Sequence, residues 1–69
     1  MNVDFAKTAE RLREYADDKG TPYPNTTAAA IHAANFMDVA NKKSGWDAGD
    51  EFIRQGLAFA RIHGLVVEA

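Results

Sequence analysis

The chain contains no cysteine, which excludes a disulfide framework and any thiolate-ligated metal centre. It also lacks an excess of either charge: 8 Lys+Arg stand against 10 Asp+Glu, a formal net charge of −2. That balance gives no electrostatic basis for gripping nucleic acid or an anionic membrane surface. Long hydrophobic runs are missing too. The longest, Thr26–Ala34, is alanine-rich and interrupted by His32, far short of the roughly 18 residues a membrane span needs. The opening MNVDFAKTAERLRE carries charges where a secretory signal would need its apolar stretch. These absences set the expectation of a small cytoplasmic domain without a membrane segment.

Proline is confined to two positions, Pro22 and Pro24, in one segment. Long stretches on either side are therefore free to be helical, and their periodicity predicts an all-α domain of three helices, at about 4–19, 27–43 and 46–63. In the first, Phe5, Ala9, Leu12 and Ala16 recur at helical spacing, with Thr8 and Tyr15 beside them. Asn2 or Asp4 can cap its start, and Gly20 can end it. The Thr-Pro-Tyr-Pro-Asn segment reads as a helix-breaking linker, after which Asn25, Thr26 or Thr27 caps the second helix. Asn25-Thr26-Thr27 also matches the glycosylation pattern, but with no secretory signal it is read only as a cap. Ala29, Ala33, Phe36, Met37 and Ala40 form the expected buried face, with His32 and Val39 at its margin. Ile31 falls on the polar side, either stapled by Tyr23 and the proline loop or exposed for a partner.

The third helix carries the most information. Ser44 with Asp47 three residues on resembles a capping box that starts it. Gly64 followed by Leu65 suits a Schellman ending, and Val66-Val67 form a short extended tail. On a helical wheel Asp47, Asp50, Glu51, Arg54 and Arg61 share one side, while apolar residues fill about half the circumference. Gly49, Gly56 and Ala60 make a small-residue strip, and Gly56 suggests close backbone approach to the alanine-rich second helix. Large side chains flank that strip on both sides, more than two narrow neighbouring faces need. One flank is therefore assigned to the subunit interior and the other to self-association or a protein partner. The candidate interface residues are Trp46, Phe52, Gly56, Phe59, Ile62 and His63. Small size points the same way: alanines dominate the hydrophobic residues, so the core buries little, and a chain without disulfides is helped by self-association.

Nothing in the sequence supports catalysis or a cofactor. Ser44 is accounted for as a cap, and neither His32 nor His63 has His, Asp or Glu three or four residues on to make a helical metal pair. No glycine-rich phosphate loop occurs, although the acid-free start of the second helix, with Thr26 and Thr27, could receive a small anion. The expected function is thus a non-enzymatic protein-binding module that homo-oligomerises or binds a protein partner. One alternative is a phage or mobile-element inhibitor of a bacterial host or defence protein. A further alternative, a helix-turn-helix DNA-binding protein, is disfavoured by acids at the start of the would-be recognition helix.

Overall fold

The computed structural model describes residues 2–19, 23–42 and 50–69. Three helices follow in order: α1 (Phe5–Lys19), α2 (Pro24–Lys42) and α3 (Glu51–Ile62). The all-α expectation holds. α2 is the central element and packs against both α1 and α3.

Asp4 caps α1, its Oδ1 accepting from the Lys7 N–H at 3.0 Å, as expected of a short acceptor at that position. Of the anticipated stripe Ala9, Leu12 and Ala16 are buried, with Thr8 beside them, while Phe5 and Tyr15 are half-buried against the core. Gly20, the expected end signal, lies outside the described residues.

α2 differs from expectation in two ways. It begins at Pro24, not near Thr27. A proline in the first helical position is compatible with the helix because the missing N–H has no intrahelical partner there and its φ is already helical. The Tyr23 carbonyl accepts the first helical bond, from Thr27 N–H at 2.9 Å, so Asn25, Thr26 and Thr27 lie inside the helix. The buried face is also rotated. Ala30, Ala33, Ala34, Met37 and Ala40 are buried, whereas Ala29 and Phe36 are only half-buried. The cause is that α2 is covered on two sides. Arg13 of α1 reaches Asp38 at 2.5 Å and Asn35 at 3.2 Å, which places α1 over one flank while α3 occupies the other. Ile31 is 44% exposed and Tyr23 57% exposed, which does not favour the staple between them.

α3 starts later than expected. Its N-cap is Asp50, in extended backbone (φ −73°, ψ 107°), whose Oδ1 accepts from Phe52 N–H and Ile53 N–H at 3.1 Å each. A carboxylate there satisfies two otherwise orphaned donors and meets the positive end of the helix dipole. The proposed Ser44–Asp47 capping box lies outside the described residues. The helix ends as anticipated. Gly64 takes φ +68°, its N–H donates to Arg61 O at 3.1 Å, and Leu65 N–H donates to Ala60 O at 2.7 Å. These are the two bonds of a Schellman motif, and Leu65 is buried behind them.

The tail then returns to the N-terminus. Val3 and Glu68 form an isolated antiparallel bridge, Asp4 N–H donates to Val67 O at 2.8 Å, and Ala69 N–H donates to Asn2 O at 3.1 Å. Thr8, fully buried, completes this clasp: its hydroxyl accepts from Val67 N–H at 3.0 Å. A buried hydroxyl in an apolar setting is tolerated because it has that partner.

Among the described residues the core combines Leu12, Met37, Ile53, Leu57 and Leu65 with the alanines Ala9, Ala33, Ala34, Ala40 and Ala60. Alanines let the helices approach closely but bury little area each, so hydrophobic stabilisation rests on a handful of larger side chains. Gly56 marks the closest approach. A Cβ built there would stand 3.1 Å from Met37 Cε, 3.3 Å from Ala33 O and 3.4 Å from Ala33 Cα. The mid-helix glycine thus has the packing reason its position suggests. No helix among the described residues is long and apolar enough to cross a membrane.

Candidate protein-contact surface

The two flanks of α3 have separate fates. Ile53 and Leu57 point inward and are fully buried. On the other flank Phe52 is 60% exposed and Ile62 80% exposed, values that for large apolar side chains call for a reason.

The periodicity of the helices explains why these residues meet. Phe52, Gln55, Phe59 and Ile62 follow one another at spacings of three or four, so they form one stripe along α3. On α2, His32, Phe36 and Val39 form the matching stripe, beside the buried face. The helices bring the stripes together: the Phe36 and Phe52 rings stack with centroids 5.3 Å apart and planes 13° from parallel. Between the stripes lies a shallow cleft of about 240 Å³. Its lining combines Ala29, Ala33 and Gly56 with the rings of Phe36 and Phe59 and the polar His32 and Gln55. Ala29 and Ala33 add little bulk to the lining, and Gly56 lets α3 come close to α2 there, with a Cβ at that position standing 3.1 Å from Met37 Cε.

This face is nearly free of formal charge. Residues 24–37 contain no Asp, Glu, Lys or Arg, and neither does the stripe from Phe52 to Ile62 at the positions named. Glu51, at the start of α3, is the nearest acid by helical phase. It pairs with Arg54 and stands 3.5 Å from the Gln55 amide.

The remaining candidate residues distribute unevenly. Phe59 is half-buried, edge-on to Tyr15 of α1 at 6.4 Å and 4.4 Å from the His63 ring. His63 caps α3, and its Nδ1 lies 3.1 Å from the Tyr15 hydroxyl, so this imidazole ties α3 to α1. Gly56 is buried at the close approach to α2 and lines the cleft from beneath. Trp46 lies outside the described residues. Phe52, Phe59 and Ile62 are therefore brought together as a surface, with Gly56 beneath. Sequence reasoning placed Phe36 in the core and Val39 at the margin, but both belong to this face. The signal was present in their spacing from His32, yet it becomes readable only once the rotation of α2 is known.

A second cleft, of about 320 Å³, opens where Tyr15, Lys19, Tyr23, Thr26 and His63 meet. The start of α2 has no acid in its first turn, but the C-terminal ends of α1 and α3 border the same cleft, so helix partial charges of both signs converge there. The Lys19 ammonium lies 5.5 Å from the Tyr15 ring centroid. Among the described residues no group of three His, Cys, Asp or Glu is arranged to hold a metal ion. Compared with protein-family models, curated proteins and solved structures, the chain matches none.

Proposed function

We propose that this protein is a non-catalytic protein-binding module whose contact surface is the outer face of α3 together with the adjoining stripe of α2. The observation that carries this reading is the exposure of Phe52 and Ile62 on an uncharged face next to a cleft. Contiguous exposed apolar surface is costly in water and marks contact sites, and aromatic anchors beside a concave patch are the usual centre of such interfaces. An inhibitor of a host or defence protein would use the same surface. The DNA-binding alternative draws no support from the start of α3, where Asp50 and Glu51 would meet phosphates.

The reading is tested in producing cells with a photo-crosslinking side chain at position 62 and, as a control, at the exposed Arg11 on α1. Discrete protein adducts at position 62 and none at Arg11 are expected, whether the captured chain is a second copy or another protein. Equal labelling at the two sites, or no adduct at either, would refute the reading.

A further inference from the structure

The cleft of about 320 Å³ lined by Tyr15, Lys19, Tyr23, Thr26 and His63 plays no part in the proposed contact surface. Tyr15 and Lys19 are four residues apart and share one face of α1. Thr26 comes from the first turn of α2, and His63 closes α3. Each of these side chains carries a polar nitrogen or oxygen, and Tyr15, Tyr23 and His63 are also rings. An aromatic wall with a few convergent polar groups is the make-up of a small-molecule site. The fold fixes two of the groups. The Tyr15 hydroxyl lies 3.1 Å from His63 Nδ1, and the His63 ring contacts those of Tyr15 and Phe59, with centroids 5.1 Å and 4.4 Å away. With the phenol donating to Nδ1, Nε2 carries the ring hydrogen and is left for a ligand. Tyr23, 57% exposed, supplies the third ring.

Side-chain charge selects the class of ligand. The helix ends do not, since partial charges of both signs converge on the cleft. Lys19 is a cation in the lining, and no carboxylate is among the described lining residues. The neighbouring acids Glu14 and Asp18 stand about 100° around α1 from Tyr15 and Lys19 respectively. A cationic guest would be repelled by the Lys19 ammonium, which already lies 5.5 Å from the Tyr15 ring centroid. The late α3 carbonyls of Ala60 and Arg61 are taken by the Leu65 and Gly64 N–H groups. An anion finds an ammonium, an imidazole N–H and the hydroxyls of Tyr23 and Thr26, and hydrogen bonds between charged partners are the stronger kind. Volume sets the size: about 150 Å³ seats a benzene ring, so the cleft has room for one ring, its carboxylate and bridging water. We propose that this cleft binds a small aromatic carboxylate, its ring against Tyr15 and Tyr23 and its carboxylate on Lys19 and Thr26.

Heteronuclear NMR titration of the labelled protein tests this with phenylacetate as the probe. Beside it stand phenethylamine, which puts a cation on the same ring, and inorganic phosphate, an anion without a ring. Phenylacetate is expected to shift the Tyr15, Thr26 and His63 amide signals saturably, with a dissociation constant of about 1 mM for so small a ligand. Phenethylamine and phosphate should each bind about tenfold more weakly or less. Lys19→Gln, at an exposed side chain, removes the charged donor and should weaken phenylacetate about tenfold, with circular dichroism unchanged. No saturable shift of these signals by phenylacetate, equal binding of phenethylamine or phosphate, or a Lys19→Gln protein that binds like wild type would each overturn the inference. Neither Phe52 nor Ile62 lines this cleft, so such a failure leaves the proposed contact surface untouched.

Discussion

Gly56 provides the sharpest test of how α2 and α3 are held together. In an unconstrained helix interior, replacing glycine by alanine stabilises by about 1 kcal/mol. Here the added Cβ would meet Met37 Cε at 3.1 Å and the Ala33 backbone at 3.3 Å and 3.4 Å. The Met37 methyl is the end of a flexible side chain, but Met37 is fully buried, and the Ala33 carbonyl is fixed in helix α2. A small separation of the helices therefore offsets the propensity gain, and Gly56→Ala should leave stability unchanged or lower. Gly56→Val adds two further methyl groups into the same gap. It should cost about 2 kcal/mol through overpacking, which for a domain this small lowers Tm by roughly ten degrees. Ala58→Gly, two residues on and exposed, calibrates the helix itself and should cost about 1 kcal/mol. Urea unfolding of all four proteins at one fixed concentration, followed by circular dichroism, measures each difference. A Gly56→Val protein as stable as wild type would refute the close approach.

Three further substitutions probe the elements around the surface. Thr8→Val keeps the shape but removes the acceptor for Val67 N–H, and leaving that donor unpaired should cost about 1–2 kcal/mol in urea unfolding. A variant more stable than wild type would show the clasp to be dispensable. Asp50→Ala removes the cap of α3 and should cost about 1 kcal/mol, with faster amide exchange at Phe52 and Ile53. Unchanged exchange there would place the cap elsewhere. Arg13→Ala breaks a pair whose side chains are 44% and 42% exposed, so its loss should cost less than about 1 kcal/mol. A larger thermal shift would show that the α1–α2 contact depends on it.

Much of the fold was legible because three local signals are strong. The α1 stripe, the Gly64–Leu65 ending and the mid-helix Gly56 each follow from short-range spacing, and each appears as expected. The rotation of α2 was not legible, because alanines at 28, 29, 30, 33 and 34 give almost no contrast between its sides. With similar side chains all round, the neighbouring helices decide which alanines are buried, and Ala30 and Ala34 are among them while Ala28 is exposed. The start of α3 was misplaced since several short polar side chains could cap it, and local pattern does not rank Ser44 against Asp50. The clasp joining Thr8 to Val67 spans 59 positions and has no local signature. Of the candidate surface, Phe52, Phe59 and Ile62 followed from the α3 wheel. Phe36 and Val39 did not, because their exposure depends on how α2 is rotated.

That the uncharged face of α2 and α3 is a protein contact is tested most directly by photo-crosslinking in producing cells, with the crosslinking side chain at position 62 in an otherwise wild-type chain and in one that also carries Phe52→Asp, at a side chain 60% exposed on the same face. Discrete protein adducts that disappear with Phe52→Asp, while circular dichroism shows unchanged helix, are expected. Adducts that persist unchanged with Phe52→Asp, or no adduct in either chain, would contradict it.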